Sequence, residues 1–241
     1  MNSEADRATQ APRGLGIIPA RGGSKRFPRK NVAPLAGRPL LVWTIAAARA
    51  AEVFTDLIVS SDDAEALSLA EANGAEPRPR AARLADDVAT VDQVCVAELE
   101  ALANVGRVYD AVYVLLPTAP LRSAASIRRA WDRFVTARAE ALISVVPANH
   151  PVEWSLARDG DWLKPMDPEG YRQPRSALPQ RWHADGGHII VRCDHLLKTG
   201  GWSSPRTVAF TAPADETVDI DTPRDLRWAE FLLQAGIGKK Q

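Results

Sequence analysis

The chain has 241 residues, of which 46% are apolar, with 30 basic side chains against 30 acidic ones, so it can bury a substantial core and carries no net charge. That balance excludes an overall nucleic-acid or membrane charge signature, and any attraction for anions must be local. Two cysteines, Cys95 and Cys193, lack CxxC or metal-ligand spacing, which suits a reduced, cytoplasmic setting, and no apolar run approaches the ~18 residues of a membrane span.

The opening MNSEADRATQAPRG is polar and contains acids, unlike the basic-then-apolar profile of a secretory leader. Residues 1–13 are therefore expected as a disordered tail ahead of a single domain, 14–241. GIIPA is a short strand, and PLLVWTIAAARAAEV has the length and alanine content of a helix. TDLIVSSDD reads as the next strand, followed by AEALSLAEANG, a helix stopped by Gly74. DQVCVAELEALANV is helical, DAVYVLLPTAP a buried strand, SIRRAWDRFVTARA an amphipathic helix and ALISVVPA a strand. The segment from about 148 to 186 breaks this rhythm with proline, charge and the aromatics Trp154, Trp162, Tyr171 and Trp182. Such side chains are poorly placed in water, and the segment is expected as a protruding arm or flap that pairs subunits. GHIIVRC and TVAFTAP then resume the sheet, and ETVDIDTPRDLRWAEFLLQAG is an acidic turn feeding a last helix. Alternating strands and helices predict an α/β fold with a mostly parallel sheet covered on both faces, whose ligands gather beyond the carboxyl ends of the strands.

Chemistry concentrates at two places. IIPARGGSKRFPRKN sets Arg21, Lys25, Arg26, Arg29 and Lys30 just past the first strand, where like charges repel unless a polyanion sits among them. Gly22 and Gly23 let backbone approach such a ligand, and the cations supply charge-assisted hydrogen bonds to phosphate; neither a GxxxxGK[ST] nor a GxGxxG pattern is present. Near the other end, Asp219-Ile220-Asp221 puts two carboxylates on one side of an extended segment. Two readings stay open there: hard-oxygen ligands for Mg2+, or a cap of the following helix by Asp221 or Thr222. His150, His183, His188 and His195 show no ligand spacing and read as surface or structural. Asp62 and Asp63 read as caps of the helix starting at Ala64, and Arg122, Arg128, Arg129 and Arg133 as a solvated helix face.

IIPARGGSKRFPRKN, the LAGRPLLVWTI that follows, VSSDD, LADD, LLPTAPLR and VDID together resemble the acylneuraminate cytidylyltransferases, the CMP-sialic acid synthetase group, which includes enzymes for legionaminic and pseudaminic acids. The resemblance implies a Rossmann-like nucleotidyltransferase fold, a homodimer with an arm reaching the partner's site, dependence on Mg2+, and CTP and an acidic sugar as substrates. It implies nucleotide contacts from Arg21 and Asn31, with Gly22, Gly23, Ser24, Lys25 and Lys30 in the same loop, and from Arg80 and Thr90. It further implies sugar contacts around Leu116, Thr118 and Arg175, and metal binding by Asp219 and Asp221. The sequence departs from the family in placing Leu116 where a glutamine is usual, Ala89, Thr90 and Val91 where serines are usual, and Asp185-Gly186-Gly187 for an NGA turn. The reaction implied is attack by the anomeric hydroxyl of a nine-carbon 2-keto acid on the α-phosphorus of CTP, with Arg21, Lys30 and Asp221 as catalytic groups. The alternatives are a 3-deoxy-manno-octulosonate cytidylyltransferase, which would be expected to show a QGDEP-type strand in place of LLPTAP, and a catalytically silent nucleotide-binding homologue.

Overall fold

A computed structural model describes residues 11–85 and 88–236. Residues 1–10 of the expected tail, and Asp86 and Asp87 of LADD, lie outside that range. Arg13, also assigned to the tail, is held: its amide donates to the Asp110 carboxylate at 2.7 Å and its carbonyl accepts from the Asp110 amide at 2.9 Å.

In chain order the elements are β1 (Gly14–Pro19), the short ladder β2 (Pro34–Leu35) and β3 (Arg38–Pro39), α1 (Leu40–Ala51), β4 (Asp56–Ser61), α2 (Ala64–Ala72), β5 (Glu76–Pro79), α3 (Val91–Ala103), β6 (Ala111–Val114), α4 (Ala124–Thr136), β7 (Ala141–Pro147), the hairpin β8 (Leu156–Asp159) and β9 (Trp162–Pro165), β10 (Trp182–Arg192), α5 (Cys193–Thr199), β11 (Thr207–Phe210) and α6 (Pro223–Gln234). Seven strands make one sheet in the order β11-β7-β10-β6-β1-β4-β5. Every pairing is parallel except those of β10, which runs against both β6 and β7. The expected mostly parallel α/β sheet is therefore present.

Alternation along the strands divides the core. Ile18, Val59, Tyr113 and Leu115 pack under α1, α2 and α4, while Leu15, Ile17, Ile58, Val112 and Val114 pack under α3 and α5. Alanines at 47, 48 and 51 let α1 lie close against its neighbours. Each long crossover helix starts on a side-chain cap where the sequence offers one: Asp63 for α2, Thr90 with Gln93 in a capping box for α3, Ser123 for α4, and Thr222 with Asp225 in a second box for α6. His188 is structural: its Nδ1 meets the Tyr113 hydroxyl, its ring stands edge-on to Phe210 at 5.1 Å, and burial drives its pKa well down.

Besides the two short ladders, β2 with β3 and β8 with β9, two further elements were not expected. β5 reads Glu-Pro-Arg-Pro and survives because it is the outermost strand, where missing amides cost no ladder bond on the open side. The short helix α5 directly follows β10 and stops at Gly200, whose φ of 72° is left-handed. The irregular segment is also shorter than expected, because β10 begins at Trp182 and pairs it with Pro147. The register of β10 shifts between Ala184 and Ile189, so the Asp185-Gly186-Gly187 turn is a bulge in the sheet rather than part of an arm.

Candidate active site

The chain leaves β1 toward β4 and β5 on one side and returns to β6 on the other, so a crevice opens at the carboxyl ends of β1 and β6 where the order reverses. A cavity of about 370 Å3 lies there. The loop after β1 contributes Arg21, Lys30 and Asn31; the approach to α3 contributes Arg80, Ala89, Thr90, Val91 and Val94; the exit of β6 contributes Leu116, Pro117 and Thr118; Asp219 and Asp221 close it. A neighbouring cavity of about 320 Å3 shares Arg21, Lys30, Asn31 and Asp221 and adds Ser24, Lys25 and Arg26. The two sequence constellations thus meet, and Lys30 Nζ donates to Asp221 Oδ1 at 2.9 Å across 191 residues of chain.

The basic loop is tied down at several points. The Gly22 amide donates to Asp62 Oδ1 at 2.8 Å, and Asn31 Nδ2 donates to the Arg21 carbonyl at 2.8 Å. A Cβ on Gly22 would stand 3.2 Å from Asp63 Cβ, so this glycine serves close packing, whereas nothing lies within 4 Å of a Cβ on Gly23. Asp63 caps α2 as expected, accepting from the Glu65 amide at 2.8 Å. Asp62 does not: its carboxylate accepts from the Gly22 amide and anchors the loop instead. Arg29, at a left-handed φ of 56°, turns to Glu65 and Asp63 and does not line the cavity.

On the acidic wall, Ile220 is buried against α6 and its amide donates to the Thr118 carbonyl at 2.8 Å, which leaves Asp219 and Asp221 on the cavity side. Thr222, not Asp221, caps α6. Both Asp221 oxygens meet cations, Lys30 and, at 3.0 Å, Arg26 Nη1. Burial pushes the Asp219 carboxyl up; a hydrogen bond from Thr118 opposes this, Asp221 adds to it, and Lys30 opposes it. A carboxyl raised in the folded state costs stability when ionised, at every pH above its unfolded value near 3.8, and the cost disappears below that value. Asp219→Asn is therefore expected to raise the melting temperature of the unliganded protein at pH 7 by about 1 to 4 °C, read by calorimetry. A lower melting temperature would mean that Asp219 is fully compensated.

Arg80 spends part of its guanidinium on β4, donating through Nη2 to the Ser60 carbonyl at 2.7 Å and through Nε to Ser60 Oγ at 3.3 Å, and burial lowers its pKa. Thr90 both lines the cavity and caps α3. Arg175 is not brought to this cavity within the chain: it lines a separate one of about 100 Å3 and donates to the Asn149 carbonyl at 3.0 Å.

Arg122 corrects the solvated-face reading. It is 1% exposed, and its two terminal nitrogens donate to the Leu116 carbonyl at 2.9 Å and to the Gly187 carbonyl. It precedes the Ser123 cap, so it belongs to the β6 exit loop and not to the helix that carries Arg128, Arg129 and Arg133.

An open α/β sheet with a cationic loop and paired carboxylates at its switch point defines a nucleotide-handling enzyme class. The cytidylyltransferase family model matches residues 15–145, and the chain belongs to that family. It is 30% identical over 222 residues to the pseudaminic acid cytidylyltransferase of Campylobacter jejuni, covering 91% of this chain and 96% of that one. It is 31% identical over 228 residues to the CMP-N,N'-diacetyllegionaminic acid synthase of Legionella pneumophila, with the same coverage of 91% and 96%. Among solved structures, a CMP:2-keto-3-deoxy-manno-octonic acid synthetase complexed with CTP superposes with a TM-score of 0.67 at 17% identity, over 93% of this chain and 99% of that one, which is a likeness of fold.

Proposed function

We propose that the protein transfers CMP from CTP to the anomeric hydroxyl of a nine-carbon 2-keto sugar acid, releasing pyrophosphate. The observation that carries this reading is the meeting of Arg21 and Lys30 with Asp219 and Asp221 in one cavity at the end of β1. Family membership and the relatives active on pseudaminic and legionaminic acids support it.

The hydroxyl oxygen attacks the α-phosphorus, the bond to the pyrophosphate oxygen breaks, and the hydroxyl proton leaves to solvent or base. The chain's contribution is positioning and charge neutralisation. Arg21 and Lys30 meet the triphosphate and stabilise the charge that builds on the departing pyrophosphate, while Asn31, bonded to the Arg21 carbonyl, holds the loop in place. Arg80 and Thr90 flank the nucleotide, Lys25 extends the cationic surface and Ser24 adds a hydroxyl beside it.

Asp219 and Asp221 fit Mg2+ as a cofactor. They offer two hard-oxygen groups on the cavity side of one extended segment. Among the described residues no three His, Cys, Asp or Glu side chains gather as ligands, so the rest of such a shell falls to water and phosphate. When bound, the ion supplies neutralisation of phosphate charge and acidity to the attacking hydroxyl.

The arm supports a homodimer. Trp162 is 81% exposed and Met166 71%, with Leu163 also open and Trp182 open at the start of β10 beside the arm, and pairing two arms would remove that apolar surface from water. Arg175 then meets the sugar carboxylate of the partner's site as a planar fork. Light scattering is expected to report a dimer at micromolar concentration; a monomer would confine Arg175 to its own chain.

The experiment that tests the activity is pyrophosphate release from CTP, ATP or GTP with a panel of 2-keto sugar acids. CTP with a nine-carbon acid is expected to be the productive pair. Equal turnover with a purine triphosphate overturns the nucleotide assignment, preference for the eight-carbon 3-deoxy-manno-octulosonate overturns the sugar, and no release with any pair leaves a silent homologue. Among the described residues no helix is long and apolar enough to cross a membrane.

A further inference from the structure

We infer that Leu116, together with Val91 and Val94, forms an apolar seat that selects acceptors deoxygenated at one carbon over fully hydroxylated ones; this rests on the cytidylyl-transfer reading above. The cavity walls are chemically unequal. Leu116 and Val91 line the cavity that also holds Arg21, Lys30, Asp219 and Asp221, and they form the partly exposed margin of the apolar cluster beneath α3 and α5, while Val94, also lining it, is buried. The core therefore continues to the surface of a cavity that also carries ionic groups.

Three features keep that wall apolar. The Leu116 carbonyl is turned to Arg122 Nη2 at 2.9 Å and is withdrawn from any ligand. Leu116 Cδ1 lies 3.5 Å from where a Cβ on Gly186 would stand, and Gly186, at a φ of 71°, has no side chain to add there. Asp185, the one ionisable group of that turn, accepts through Oδ1 from the Gly187 amide at 2.8 Å and from the Ser144 hydroxyl, while its Oδ2 is buried with no hydrogen-bond partner among the described residues. The seat nevertheless adjoins the reacting end of the cavity, because the carbonyl of Thr118, two residues beyond Leu116, accepts at 2.8 Å from the amide of Ile220, which stands between Asp219 and Asp221.

A sugar hydroxyl pressed against this wall gives up water without gaining a partner, whereas a methyl or methylene group gains burial. An apolar pocket discriminates by about 10- to 100-fold on such a difference.

The test is kcat/KM across a series of nine-carbon 2-keto sugar acids, each deoxygenated at one carbon, against the fully hydroxylated parent. Deoxygenation at one position is expected to raise kcat/KM by about 10-fold or more. Leu116→Gln is expected to cancel or reverse the gain at that same position, while Leu116→Met, apolar and close in volume, retains it. If no member of the series exceeds the parent in the wild type, the seat is refuted without recourse to a variant. An unchanged pattern in folded Leu116→Gln refutes the role of Leu116. Turnover with no acceptor at all overturns the transferase reading and this inference with it, and is distinguished from the other outcomes by the absence of pyrophosphate.

Discussion

Replacing Asp221 by asparagine is expected to lower turnover by about 10²- to 10³-fold at ordinary magnesium concentrations, the scale of losing one preorganised electrostatic group. Asparagine preserves size and one acceptor oxygen but removes an anionic ligand, so metal affinity falls and phosphate charge goes uncompensated. Partial recovery at high Mg2+ or with Mn2+ is the signature of a ligand defect. Loss of a helix cap no longer competes as an explanation, because Thr222 and Asp225 cap α6 between themselves. The folded state has a modest stake: the pair with Arg26, 74% exposed, is worth about 0 to 1 kcal/mol, and although Lys30 is only 14% exposed, asparagine still offers it an acceptor oxygen. The melting temperature of the unliganded variant should therefore stay within about 3 °C of wild type. Full activity at ordinary Mg2+ would remove Asp221 from the metal proposal.

What the sequence made legible follows from how local each signal is. The βα units could be read because each strand is an apolar run and each long crossover helix has a cap or a stop within its own few residues, such as Asp63, Thr90 or Thr222. β5 could not, since two prolines in four residues argue against a strand until its position at the sheet edge is known. The basic loop and the Asp219-Asp221 pair were each visible, but their meeting through Lys30 and Asp221 is a product of sheet order. Arg122 was misread because its neighbours Arg128, Arg129 and Arg133 suggested a common face. The correcting signal was present, in that an arginine immediately before a serine cap stands outside the helix. Asp62 was misread for the complementary reason, since adjacency to a cap does not make a second cap.

Arg122→Ala is expected to destabilise the protein by about 3 to 5 kcal/mol, the loss typical of breaking a buried charged network, and to lower its melting temperature by about 10 °C. The sign has to be decided, because burying a guanidinium is itself costly: burial pulls the Arg122 pKa down to about 10, against the smaller opposing pull of Tyr113, Asp185 and Glu216. Removing the charge returns about 3 kcal/mol at most. Against that stand two hydrogen bonds from a charged donor, to the Leu116 and Gly187 carbonyls, worth about 1.5 to 3 kcal/mol each. A further ~2 to 5 kcal/mol comes from the cavity left by a side chain this large. The losses exceed the relief. Arg122→Met separates the two costs: it fills most of the volume without carrying a charge but takes the guanidinium donors from both carbonyls, leaving Leu116 only the Ala119 amide at 3.2 Å, so it should fall between wild type and alanine. Arg122 also links the β6 exit, which bears Leu116 and Thr118, to the β10 bulge, so the same variants should loosen the acceptor side of the cavity and raise acceptor KM more than CTP KM. Calorimetry showing Arg122→Ala within about 2 °C of wild type would mean that the two carbonyls find other partners and that Arg122 does not hold these strands together.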